Sequence, residues 1–169
     1  MEITKASRTQ VAGADFTAVM GSFPAGVAVV TGMGRDGVPR GLTSTSCCAV
    51  SLEPPMMLVC VDKMSATLKS LQDGVGFTVN YLREGAEDIA RLFASKSDSK
   101  FANINWSAGT IGTPVLDDCL CAVAEVRTRQ VIEAGDHWVF IGEVIRAWSD
   151  QDAQPLAYLR GQFRRMVAA

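Results

Sequence analysis

The chain predicts a mostly β protein with short helices, closed into an antiparallel barrel. Three observations carry this. At least six segments are rich in β-branched and apolar residues, tight turn signals separate most of them, and the helical patterns in between are brief. A parallel sheet would need long crossovers between successive strands, and most connections here are too short for that.

Taken in order, Ala14 to Gly21 has helical spacing with Phe16, Val19 and Met20 on one side. Pro24-Ala25-Gly26 then leads into a strand at Val27 to Thr31. Gly32 to Gly37 reads as a hairpin tip, and Val38 to Val50 as one returning strand with hydroxyls interleaved. Met56 to Val61, after Pro54-Pro55, is continuously apolar, the pattern of a strand buried on both faces. Ser65 to Leu71 reads as a short helix with Ser65 as N-cap, stopped by Asp73-Gly74, and Val75 to Leu82 returns to strand. Ala86 to Ala94 sets Ile89, Ala90, Leu92 and Phe93 between charges, as an amphipathic helix does. Cys119 to Val131 and Trp138 to Trp148 are long alternating strands joined by a hairpin loop at Glu133 to Asp136. Pro155 to Phe163 reads as a last strand.

With 169 residues, 48% of them hydrophobic and 20% charged, the chain can close a core, and no repeat or linker divides it. One domain, 1–169, is expected. Sixteen Lys and Arg against eighteen Asp and Glu leave a net charge of -2, too little positive field to hold a nucleic acid. Met1 to Arg8 lacks the apolar stretch of a secretory signal, and the apolar run at Met56 to Val61 is too short to span a bilayer. A cytoplasmic protein that does not enter membranes is the expectation. Cys47, Cys48, Cys60, Cys119 and Cys121 form no Cys-x-x-Cys pair and read as reduced, mostly buried thiols. With a single histidine, a histidine-rich metal site is excluded, although carboxylate-bound magnesium is not, and no residue is assigned to a metal.

Gly32-Met33-Gly34-Arg35-Asp36-Gly37 fits the dinucleotide pattern G-x-G-x-x-G, but Val38-Pro39-Arg40-Gly41 follows where a helix should open, so the turn reading stands. Two other segments carry more chemistry. Gly41-Leu42-Thr43-Ser44-Thr45-Ser46-Cys47-Cys48 offers consecutive small hydroxyls and backbone amides, and Ser51-Leu52-Glu53-Pro54-Pro55 follows it. Such a cradle suits a flat ring edged with carbonyls and nitrogens, although an ordinary exposed strand reads the same way. Asp62-Lys63-Met64-Ser65-Ala66-Thr67 opens a helix with a lysine and two hydroxyls, which serves either as a phosphate seat or as a plain N-cap. The histidine, His137, stands in Gly135-Asp136-His137 at the start of a strand, where a titratable ring can be presented to a ligand.

In this order the segments resemble the short-chain flavin reductases, the reductase components of two-component flavin-dependent monooxygenases. The likeness runs from about Phe16 to Phe163. It implies an FMN-binding split-barrel fold, usually homodimeric. It also implies an NAD(P)H:flavin oxidoreductase that transfers hydride to FAD or FMN and passes diffusible reduced flavin to a partner monooxygenase. FAD stands ahead of FMN, and NADH ahead of NADPH.

Residue by residue, the resemblance lays Thr43, Ser44, Thr45, Ser46, Cys47, Cys48 and Ser51 along the flavin. Asp62, Lys63, Ser65 and Thr67 fall at its phosphate, and Lys100 and Phe101, ending Ser95-Lys96-Ser97-Asp98-Ser99, approach the phosphates or adenylate. His137 falls on the nicotinamide side as the catalytic, orienting residue, with Tyr158, Arg160 and Gly161 bordering the pyridine nucleotide. The family often has an aromatic residue where Cys47 stands, which bears on how tightly a ring is held. Three alternatives stay open: a split-barrel enzyme with tightly bound FMN and its own substrate, a non-catalytic flavin-binding module, and a pyridoxine-phosphate oxidase relative. The last lacks the expected basic phosphate clamp.

Overall fold

The computed structural model describes residues 11–166; the Met1 to Arg8 stretch lies outside them. A helix α1 (Gly13–Gly21) precedes strands β1 (Ala25–Gly26), β2 (Ala28–Met33), β3 (Pro39–Ser44), β4 (Cys47–Leu52) and β5 (Pro55–Asp62). Helix α2 (Leu68–Asp73), strand β6 (Gly76–Leu82) and helix α3 (Glu87–Ala94) follow. The chain ends in β7 (Trp106–Ala108), β8 (Pro114–Leu116), β9 (Leu120–Ala134), β10 (His137–Ser149), β11 (Ala157–Leu159) and β12 (Gln162–Arg164).

Seven strands form one antiparallel sheet in the order β3-β2-β6-β9-β10-β5-β4. Its two edge strands, β3 and β4, are consecutive in sequence and separated only by Thr45 and Ser46. Three Cα steps of about 3.8 Å cannot cross an open seven-stranded sheet, so the sheet must curl until its edges meet. The expected single strand from Val38 to Val50 is therefore two strands, and the hydroxyl stretch is the crossing between opposite edges. Ser46 carries the β4–β5 ladder into the crossing, its carbonyl accepting from the Cys60 amide at 3.0 Å.

Val30, Val59, Val61, Phe77, Val79, Val126 and Phe140 fill the barrel, with Phe77 and Phe140 edge to face at 6.4 Å. A second apolar layer, including Val27, Val29, Leu82, Ala90, Phe93 and Leu156, packs α3 and the 156–157 segment onto the barrel's outside. Asn80, fully buried, donates to the carbonyl of Val29 and to Thr31 Oγ1, each at 3.1 Å, and accepts from the Leu116 amide at 3.0 Å, which ties β8 to the sheet. At Gly142, beside a register shift, a Cβ would lie 2.4 Å from Val126 Cγ1 and 2.6 Å from the Arg127 carbonyl, so the strand can bend there only without a side chain.

Other expectations need correction. Met56 to Val61 alternates instead of burying both faces: Met57, Val59 and Val61 are buried, while Met56, Leu58 and Cys60 face outward and are half-buried. Thr67, not Ser65, stands at the N-cap position of α2, where its side chain makes no cap bond, and the Ser65 hydroxyl accepts from the Thr67 amide at 3.3 Å. The last strand is a hairpin, β11 and β12, turning at Arg160-Gly161. The 133–136 loop shrinks to a two-residue turn because β9 runs on through Ala134. All five cysteines are free, but only Cys121 is buried and Cys48 is exposed. The small β7–β8 hairpin was not anticipated.

Candidate functional site

Thr43, next to last in β3 and opposite Val29, donates its hydroxyl to the Ala90 carbonyl of α3 at 2.6 Å, so strand and helix are stitched at this point. Ser44 is buried and its hydroxyl accepts from the Ser46 amide at 3.0 Å, which shapes the crossing turn; Thr45 and Ser46 are exposed. Cys47 packs against the core, and burial pushes its thiol up to about 12, so it carries no thiolate at neutral pH. Cys48 begins the exposed part of β4, and Ser51 sits half-buried at the register shift of that strand.

The Asp62 to Thr67 segment satisfies much of its own polarity. Asp62 accepts from the Met64 amide at 2.6 Å, and its carbonyl accepts from the Ser65 amide at 3.0 Å. Lys63 pairs with Glu133 at 2.5 Å, which turns its ammonium toward the β9–β10 hairpin. Lys100 donates to the carbonyls of Phe93 at 2.8 Å and Gly41 at 3.2 Å, closing the end of α3 onto β3; burial lowers its pKa from the ordinary lysine value. Phe101 stands edge to face between Phe93 at 5.1 Å and Trp106 at 6.0 Å.

Three cavities run along this surface. The largest, about 890 Å³, lies between α3 and the β11–β12 hairpin and is lined by Thr43, Thr45, Arg91, Tyr158, Gly161 and Phe163 among others. The second, about 580 Å³, is bordered by Thr43, Asp62, Ser65, Phe93 and Lys100. The third, about 310 Å³, is bordered by Arg40, Thr67, Lys100 and Phe101. Thr43 and Ala94 line both the first and the second, while Ala66, Ser97 and Lys100 line both the second and the third. The three form one trough, with Thr43 as the threshold between its wide end and its polar arm.

At the wide end Tyr158 and Phe163 meet edge to face at 5.3 Å. The turn between them holds Arg160 at φ 50 and Gly161 at φ 78, and the Arg160 amide donates to the Gly21 carbonyl. An open left-handed turn of this kind suits Gly161; for Arg160 the same region is strained. The Arg160 side chain does not line the cavity.

His137 opens β10 opposite Asp62, and its Nδ1 lies 2.7 Å from Asp136 Oδ1. That hydrogen bond, followed by the charge on the ring, holds the Asp136 carboxyl below the ordinary carboxylate value. Asp136 is therefore a carboxylate at neutral pH, Nδ1–H is the donor, and Nε2 is left for another partner. His137 lines none of the three cavities; through Asp62 it stands one strand away from the second. The structure thus brings Thr43, Thr45, Tyr158 and Gly161 together, and Asp62, Ser65 and Lys100 together, with His137 apart from Tyr158. Sequence reasoning missed Arg40, Glu87, Asp88 and Arg91 as trough residues. For the last three, the polar face of an amphipathic helix was the one available sign.

A sequence profile described as "Flavin reductase like domain" matches residues 20–166. The "Flavin reductase (NADH)" of Kitasatospora aureofaciens is 40% identical over 157 residues, covering 92% of this chain and 82% of that protein. The "Flavin-dependent monooxygenase, reductase subunit HsaB" of Rhodococcus jostii is 35% identical over 148 residues, 88% of this chain and 75% of that one. Among solved structures, the Streptomyces globisporus NADH:FAD oxidoreductase SgcE6 in complex with NAD and FAD fragments superposes with a TM-score of 0.85 at 36% identity. It covers 91% of this chain and 92% of its own. A curled seven-stranded antiparallel sheet with a polar trough along its seam is a flavin-binding split barrel. The chain belongs to the flavin reductase family, whose members reduce flavin with NADH or NADPH.

Proposed function

We propose that this chain reduces FAD with NADH in the cytoplasm and releases the reduced flavin to a partner monooxygenase. The observation that carries the reading is the Thr43 threshold, where a wide cavity walled by Tyr158 and Phe163 joins a narrower polar arm. Two ring systems can meet face to face there, and hydride transfer needs little more than such register. The bound flavin supplies the acceptor; the chain binds, orients and shields. Ser44 and the turn it braces present hydroxyls and amides where negative charge develops on the ring edge. Lys96 and Lys100 line the arm beyond, facing Asp62 and Asp98, with Arg40 held by Asp36 at its end; its two cavities give room for an adenylate as well as a flavin phosphate, which favours FAD over FMN. At the wide end the carboxylates of Glu87 and Asp88 oppose the extra phosphate of NADPH, which favours NADH. We assign His137 to orienting the nicotinamide carboxamide through Nε2.

A homodimer is part of this reading. Helix α1 is apolar yet buries none of its residues: Phe16 and Val19 are 60% and 70% exposed, Phe23 just beyond the helix is 71% exposed, and Leu52 of β4 is 91% exposed. Apolar surface on this scale calls for cover, and a second copy supplies it. Five free thiols support the choice of a reducing compartment.

The decisive assay follows the near-ultraviolet absorbance of each reduced nucleotide with FAD or FMN added. Oxidation of NADH that depends on added FAD, in a protein sedimenting as a dimer, is the expected result. Failure to oxidise either nucleotide with either flavin would refute it.

A further inference from the structure

We propose that Arg91 binds the pyrophosphate of the nicotinamide dinucleotide, an inference that rests on the nucleotide occupying the wide end of the trough. Of the residues lining that cavity Arg91 is the one cation, against Glu87 and Asp88. A dinucleotide brings two negative charges at its pyrophosphate, and a wall with two carboxylates leaves one group able to receive them.

The helix sets this up. Ala90 and Phe93 turn inward to the core, so Arg91, one step round from Ala90, faces the β11–β12 hairpin. Its guanidinium lies over the Phe163 ring, 5.0 Å from the centroid, which fixes the height of the fork above the cavity floor. Its other partner is Asp88, at 3.2 Å, whose side chain is almost wholly exposed. Such a solvated pair contributes little and exchanges readily for a doubly charged ligand that the planar fork matches in bidentate fashion. With the nicotinamide at Thr43 and the pyrophosphate at Arg91, the dinucleotide would run along α3.

The test compares two hydride donors, NADH and reduced nicotinamide riboside, which carries the same ring and no phosphate. With FAD as acceptor, Arg91→Ala should lower kcat/KM for NADH by about tenfold or more, the size of a charge-assisted hydrogen bond, through KM. It should change the riboside by less than about twofold, and Arg91→Lys should recover part of the loss. The salt dependence of the NADH KM should flatten in the Ala variant. Equal losses with both donors would mean that the wall has merely been damaged, and no loss with NADH would mean that the phosphates lie elsewhere; either overturns the assignment while leaving flavin reduction intact. If the unaltered protein oxidises neither donor with flavin present, the reading beneath the inference fails, and Arg91 with it.

Discussion

Lys100 is the residue at which structure and binding can be separated most sharply. Its ammonium donates to the Phe93 carbonyl in the last turn of α3 at 2.8 Å and to the Gly41 carbonyl in β3 at 3.2 Å. Lys100→Met keeps most of the stem's volume and removes both donors. A hydrogen bond to a charged group is worth about 1.5–3 kcal/mol when buried. Here the group is half-exposed and one bond is long, so water replaces part of what is lost and about 2 kcal/mol is the expected total. At roughly 2–4 °C per kcal/mol for a chain of this size, the thermal midpoint should fall by about 4–8 °C. Because Lys100 also lines both cavities of the polar arm, the flavin should suffer separately. FAD affinity, measured by fluorescence quenching well below the lowered midpoint, should drop by about tenfold, which is about 1.4 kcal/mol. Lys100→Arg should restore affinity more than stability, since its planar fork cannot reproduce both contacts from one nitrogen. A midpoint unchanged to within about 0.5 kcal/mol would refute the view that Lys100 ties α3 to β3. A lowered midpoint with unaltered FAD binding would confine the residue to the scaffold.

The acidic wall gives a second expectation: Glu87→Gln with Asp88→Asn should lower the ratio of NADH to NADPH kcat/KM by about tenfold, and an unmoved ratio would refute the wall as the discriminator. Arg160→Gly relieves a left-handed conformation of a non-glycine residue and should add about 1 kcal/mol of stability to denaturant unfolding; no gain would mean that the turn is unstrained. His137→Ala should raise the NADH KM or lower kcat with flavin affinity intact, and unchanged turnover across the nucleotide range would remove it from the site. The Asp36 carboxyl is held far below the ordinary carboxylate range, chiefly by hydrogen bonds from Arg40 at 2.7 and 3.0 Å and then by the Val38 amide. A depressed folded pKa stabilises above the unfolded value and is lost as pH falls through the folded one. The stability difference between the parent and Asp36→Asn should therefore be flat above about pH 5 and shrink on acidification below about pH 3.8. A difference that widens in acid would refute this.

What the sequence could reveal was governed by the range of the interactions. The alternation in β6, β9 and β10 is local, and it predicted strands whose ends differ from the observed ones by only a few residues. Thr43 to Cys48 holds no Gly, Pro, Asn or Asp, so no strong local turn signal marks the break between β3 and β4 at Thr45-Ser46. What divides them is that β3 pairs with β2 and β4 with β5, at opposite edges of the curled sheet. The site divides in the same way. The hydroxyls at 43–46 and the Tyr158 to Gly161 turn have residue types that announce themselves, and the structure gathers Thr43, Thr45, Tyr158 and Gly161 of these at the wide end of the trough. Arg91 has no such mark, since on an amphipathic helix an arginine beside Asp88 and Glu87 reads as solvated surface. Only the β11–β12 hairpin, folded over α3 so that Phe163 meets the guanidinium, turns that surface into a cavity wall. His137 is the converse case. Its motif is conspicuous, yet within one copy its ring bonds Asp136, its backbone pairs with Asp62, and it lines none of the three cavities. If it orients a nicotinamide in the wide cavity, the missing distance must be closed by ligand, by movement of the β9–β10 hairpin, or by the second copy proposed to cover the apolar face of α1. A dimer-breaking charge such as Phe16→Asp separates these: if only the second copy closes the distance, the monomer should keep flavin binding and lose the effect of His137→Ala.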